Sequence, residues 1–266
     1  MFTSALRTCP VPLAAALFLA AGPCHAQPGP AALAKLDALR LSPESAGALV
    51  YRGETFAQKT PAGSPLFRYE RRVLPTANGL HASHLTSDPG GRLVIAESSR
   101  VSTSYALQHF EVVNIQAGFS GSVAISQDGR HLEYELNKQG TQSKASEDVA
   151  DPVVTGPSLF GFILHHWDQL KSGATIPVRM LVVQEKTTYG FAVKLDSLGN
   201  GQTAFTVTPS SFLVRLAIAP LRVVFDTNSK TPIRYEGRVP PMENVSGKLK
   251  DLDARVEYTP VSSTYR

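Results

Sequence analysis

From Ala48 onward the chain alternates polar and apolar residues with period two, and turn-forming residues break the alternation at short intervals. Successive side chains of a strand point to opposite faces, so this is the pattern of half-buried β-strands. Leu66, Arg68, Glu70 and Arg72 alternate with Phe67, Tyr69, Arg71 and Val73. Asp88-Pro89-Gly90-Gly91 separates residues 80–86 from 92–97, and Gln127-Asp128-Gly129 separates 118–126 from 130–137. Asp-Gly between two alternating runs signals a hairpin whose turn positions take positive φ. The second half repeats this grammar: 175–186 with 189–195, then 203–208, 221–225, 232–237 and 253–258. About ten or eleven short antiparallel strands follow, at the spacing of a sandwich or barrel. No internal repeat or linker divides them, and the polar stretch 139–151 reads as a loop within one domain.

Helical patterns interrupt the strands. Residues 31–41 form a short amphipathic lead-in. Gly156-Pro157-Ser158 opens a second helix, with Ser158 as cap or Pro157 in the first turn. It runs from 159 to 171 and places Leu159, Phe160, Ile163, Leu164, Trp167 and Leu170 on one face. A third, 210–219, is apolar nearly all round (Phe212, Leu213, Val214, Leu216, Ile218), with Arg215 its one charge and Pro220 limiting its end.

The first 26 residues carry Arg7, an apolar run from Val11 to Ala21 and a small residue at Ala26, the layout of a cleaved secretory signal. The run is shorter than the roughly 20 residues that span a bilayer. The expected organisation is signal peptide 1–26, lead-in 27–47 and β domain 48–266, with a periplasmic location. Lipid anchoring at Cys24 is a rival, weakened by Pro23 where that signal wants a small residue. The chain's 2 cysteines, Cys9 and Cys24, both fall in the leader, so thiol chemistry is not expected of the mature protein. A formal net charge of +4 over 266 residues, without a basic arm, gives no reason to expect nucleic acid. The densest basic cluster, Arg68 with Arg71-Arg72, reads as a solvated strand face.

No motif for catalysis, a metal or a cofactor emerges. His165-His166 are adjacent, whereas metal-binding helices space their ligands by three or four. His81 and His84, three apart on a strand, face opposite sides. Gly118-Phe119-Ser120-Gly121-Ser122 approaches a nucleophile elbow, but its fifth residue is serine and its context is all β. Asn244-Val245-Ser246 is a formal glycosylation site, and Ser246-Gly247 reads as a turn. Asp251 and Asp253 read as a solvated strand start that faces one side. Arg215 stands out, because a guanidinium on an apolar helix must snorkel, pair with Glu185, Asp226 or Glu236, or meet an anionic ligand.

The stretch Leu221-Arg222-Val223-Val224-Phe225-Asp226, followed by Thr231-Pro232-Ile233-Arg234-Tyr235-Glu236-Gly237, resembles the closing hairpin of uncharacterised Gram-negative periplasmic proteins. Trp167-Asp168-Gln169-Leu170 at the end of an apolar helix fits the same group. With the leader and the inserted helices, the chain resembles the LolA/LolB-type half-barrels that carry lipids or lipoproteins. The resemblance implies a mainly β fold: one strongly curved antiparallel sheet, a half-barrel or open barrel, with two or three helices and an apolar one on the concave face. It brings no catalytic residue with it. The leading expectation is a non-catalytic protein that binds a lipid, acyl chain or lipidated protein. Phe160, Ile163, Leu164, Trp167, Phe212 and Leu216 would line the site, with Arg215 at the head group. The alternatives are an envelope-assembly module docking a protein partner, and an exported hydrolase built from loops around His84, His109 or His166.

Overall fold

The computed structural model describes residues 29–58 and 63–262, so the leader lies outside the described residues. The protein is mainly β, with fifteen strands in a single curved, unclosed sheet. The first half is a meander of β1 (Ala48–Ala57), β2 (Phe67–Thr76), β3 (Gly79–Ser87), β4 (Leu93–Ser102), β5 (Leu107–Asn114), β6 (Phe119–Ile125), β7 (His131–Lys138) and β8 (Thr141–Asp148). The second half comprises β9 (Val153–Val154), β10 (Thr175–Val182), β11 (Thr187–Gly199), β12 (Gln202–Pro209), β13 (Leu221–Asp226), β14 (Pro232–Val245) and β15 (Lys248–Pro260). Among the described residues there are four α-helices: α1 (Pro30–Arg40), α2 (Gly156–His165), α3 (Trp167–Lys171) and α4 (Phe212–Ala217).

The halves join where β1 pairs with β15, setting Gly53 opposite Tyr258 and Thr55 opposite Val256. All pairings are antiparallel except the short β9–β10 pair. β8 and β9 are the sheet's two free edges, yet residues 149–152 carry the chain directly from one to the other. Side chains bridge that gap. Glu147 of β8 accepts hydrogen bonds from Arg179 Nη2 (3.1 Å), the Thr188 amide (2.8 Å), Thr188 Oγ1 (2.7 Å) and the Tyr134 hydroxyl (2.9 Å). Lys186 Nζ reaches Ser143 Oγ at 2.9 Å. The ladder stays open while polar side chains close the barrel, which protects edges that would otherwise template pairing.

Within residues 139–151, expected as a loop, Thr141–Asp148 form β8. Its alternating polar residues pair along β7, and a strand at a sheet edge needs no apolar face to be held. That strand, the short β9, and β1 and β5, which stood outside the separately bounded runs, account for fifteen strands rather than ten or eleven. In the Gln127-Asp128-Gly129 turn only Gly129 takes positive φ (75°), so one residue, not two, adopts the left-handed conformation there.

α2 is buried on nearly every side from Pro157 to Ile163, which places it inside the curve of the sheet. Thr155 caps it reciprocally: its Oγ1 accepts from the Ser158 amide, and Ser158 Oγ accepts from the Thr155 amide at 2.8 Å. The expected single helix breaks at His166, whose φ of −97° and ψ of 16° end α2 before α3 resumes. Gly161 lets the helix approach the β4–β5 turn, since a Cβ there would lie 2.2 Å from Tyr105 Cδ1. Gly161→Ala should therefore lower stability by about 1–3 kcal/mol, the usual cost of overpacking, read as a lower urea midpoint with unchanged slope.

Candidate functional site

The inner face of the first half carries a row of polar side chains. Strand register sets Tyr51 of β1 opposite Arg71 of β2, Arg71 opposite His84 of β3, and His84 opposite Glu97 of β4. Directly opposed residues on one face sit close enough to interact. Arg71 shares its face with Phe67 and Val73, so it points inward and is only 8% exposed. Its placement corrects the reading of Arg71 as part of a solvated face. Arg68 and Arg72 do lie outside, where Arg72 pairs with Glu70 at 3.2 Å and Arg68 with Glu54 at 4.0 Å. Asp251 and Asp253 likewise share one partner, Arg238, at 2.6 and 2.8 Å.

His84, 3% exposed, bridges the row. Its Nε2 faces Arg71 Nη1, which also donates to the Pro157 carbonyl at 2.6 Å. A guanidinium has only donors, so Nε2 accepts and the ring proton sits on Nδ1, against the Tyr69 hydroxyl. Burial, then the Arg71 charge, holds the imidazole well below the usual histidine range. Glu97 Oε2 lies 3.9 Å from His84 Nδ1, and burial pushes this carboxyl up to about 7. Tyr69 and Tyr258 are driven far up by burial first, and then by the Tyr51 hydroxyl that neighbours both. Tyr51 packs edge-on against Tyr258 at 5.0 Å and beside Phe160 at 6.3 Å.

Glu97 has a stability consequence with a definite sign. Its folded-state pKa is raised, so the unfolded chain loses the proton first, from about 4.5, and the native state only near 7. Stability from this group is complete below about 4.5 and declines as pH rises to about 7, by roughly 3 kcal/mol at most. Glu97→Gln should therefore stabilise the protein at pH 8 and leave it close to the native chain at pH 4.5. Urea titrations at both values check this. The opposing loss below pH 6.5 from neutral His84 is common to both proteins and cancels.

Between this row, α2 and the second half of the sheet lies a cavity of about 340 Å³. Its walls are predominantly apolar, with Phe110, Val112, Phe160, Leu181, Phe191 and Val256 among them; His84, Glu97, Tyr69 and Tyr258 form a polar side. At the rim, Pro240-Pro241 interrupt the β14–β15 register between Val239 and Met242, where neither residue can donate to the ladder. A smaller cleft of about 40 Å³, lined by Tyr51, Arg71, Tyr105, Leu164 and Lys230 among others, shares the Phe160 ring with the main cavity.

The expected lining residues separate into three groups. Phe160 faces both spaces and Leu164 the smaller one. Ile163 and Trp167 lie behind the cavity wall in the core; Trp167 packs on Phe205 (5.1 Å) and Phe225 (5.5 Å). Phe212 and Leu216 are exposed, at 68% and 71%, because α4 is only six residues long and turns just Val214 and its C-cap Ile218 toward the core. Arg215 meets none of its expected carboxylates among the described residues; its Nη2 donates to the Ser210 carbonyl at 3.1 Å. Arg71, by contrast, is a buried guanidinium.

Of the three histidines expected for a hydrolase, His84 meets Glu97 in the cavity. His109 stands on β5 and His166 follows α2, where it contacts Gln169. Both His84 nitrogens already face protein partners, and the cavity lining contains no serine. Among the described residues no group of three or more His, Cys, Asp or Glu could hold a metal ion.

No family model and no curated protein matches the chain. Among solved structures it is similar to a β-barrel-like protein of a domain of unknown function, DUF1849, from Brucella abortus. The two share 8% identity with a TM-score of 0.38, over 81% of this chain and 97% of that one. At that level the likeness assigns no residue and no activity to this chain.

Proposed function

We propose that the barrel interior binds an apolar ligand, a lipid or acyl chain, and that the protein is a non-catalytic carrier or receptor acting outside the cytoplasm. The observation that carries this reading is the cavity of about 340 Å³ between the sheet and α2, which falls in the size range of small-molecule sites and has their make-up, mostly apolar with a few convergent polar groups. The leader-like residues 1–26 support export, and no helix among the described residues is long and apolar enough to cross a membrane. The resemblance of the leader and the inserted apolar helices to those of LolA/LolB-type carriers supports the same reading. Phe160, already expected, is joined in the helical lining by Leu159, while Phe212 and Leu216 lie outside it.

Native mass spectrometry of protein purified without detergent, with organic extraction, tests the proposal. A co-purifying lipid or acyl species, reduced in Phe160→Ala, is the expected result. A clean mass that stays unchanged after incubation with membrane lipids would overturn it. One observation favours a second reading, a partner-binding module: α4 presents Phe212, Leu213 and Leu216 together to solvent.

A further inference from the structure

Arg71 is a buried cation with no carboxylate within ion-pair distance among the described residues. An uncompensated buried charge is costly, so such a group is expected to have a counter-charge in the working state. Only Nη1 is engaged by protein, through His84 and the Pro157 carbonyl. Nε and Nη2 have no protein acceptor among the described residues. The residue directly opposite, Tyr51, is 4% exposed; its hydroxyl lies beside Arg71 and Tyr69 but completes no hydrogen bond of normal geometry.

Both residues line the smaller cleft, with Lys230 as a second cation at its edge. The cleft thus gathers two guanidinium nitrogens without a protein acceptor and a phenol O–H, while the Lys230 ammonium is turned over the Trp167 ring. What fits is a group with at least two acceptor oxygens and a negative charge, and a planar carboxylate matches the guanidinium fork. At about 40 Å³ the cleft is far smaller than the main cavity of about 340 Å³, which suits it to a head group rather than to a chain. The far side of Phe160 opens on the large apolar cavity.

We infer that the ligand is a long-chain carboxylate, with its head on Arg71 and Tyr51 and its hydrocarbon passing Phe160 into the main cavity. This rests on the reading of the interior as an apolar binding site and names the head group that site selects. Glu97 is not the counter-charge, because His84 stands between it and Arg71 in the row.

Equilibrium dialysis at pH 8 with radiolabelled dodecanoate, dodecan-1-ol and acetate tests the inference. Dodecanoate should bind about 10-fold or more tighter than dodecan-1-ol, and acetate far more weakly than either. Arg71→Gln should bring the carboxylate-to-alcohol ratio close to one. Tyr51→Phe keeps the packed ring and removes only a hydroxyl that completes no hydrogen bond of normal geometry, so it should fold if Arg71→Gln does not, and should lower that ratio several-fold. Equal binding of acid and alcohol, or a ratio unchanged in Tyr51→Phe, overturns the head-group assignment and leaves the apolar site standing. Acetate binding as tightly as dodecanoate overturns the assignment in favour of a free small carboxylate. Failure of both twelve-carbon probes overturns the underlying site as well.

Discussion

Trp167→Ala is expected to destabilise the protein by about 3–5 kcal/mol, the range for removing a large buried aromatic from a packed core. Trp167 is 3% exposed and makes edge contacts with Phe205 of β12 and Phe225 of β13, rings that themselves meet at 6.0 Å. Lys230 Nζ lies 5.3 Å from the ring centroid and caps it from the solvent side. The indole thus holds the α2–α3 unit to the second half of the sheet, and α2 in turn forms the cavity's helical wall. Because the chain has a single tryptophan, the loss is read by circular dichroism in urea rather than by fluorescence. A cost below about 1 kcal/mol would mean that the helices are not anchored in the core as described.

Glu147→Ala should destabilise by about 3 kcal/mol, with the damage concentrated at the β8 edge. The carboxylate accepts four hydrogen bonds, and two of the donor residues are almost wholly buried: Tyr134 at 1% and Thr188 at 3%. Removing the shared acceptor leaves those donors without a partner in a place water reaches poorly, and each such group costs about 1–3 kcal/mol. Partial solvent access at Glu147 itself, 20% of its side chain, limits the sum. Hydrogen exchange should show β8 and the start of β11 opening at free energies well below global unfolding, while β1 and β15 stay protected. Uniform loss of protection across the sheet would show that the seam is not a local closure.

Period-two alternation made the β architecture legible because it depends on one-sided burial, which sequence records directly. The lead-in helix and the apolar character of α2 were legible for similar reasons. β8 was not, because a polar edge strand has no buried face to betray it. α4 misled in the opposite direction. Phe212, Leu213 and Leu216 look like core, yet whether a short apolar helix is buried depends on what lies opposite, and among the described residues nothing covers them. The polar row was half visible. Arg71 alternates in phase with Phe67, Tyr69 and Val73, so its inward direction was present in the pattern, obscured by the adjacent Arg72. His84 and Glu97 meet only through the β3–β4 register, a non-local pairing that no spacing within either strand reveals.

The central claim is that the interior between α2 and the sheet receives a hydrocarbon chain. Its most direct test is anomalous diffraction from crystals grown with 1-bromododecane. The account predicts bromine density inside the cavity bounded by Phe110, Phe160 and Val256. Density confined to the exposed face of α4, or none at all at saturating ligand, would contradict it.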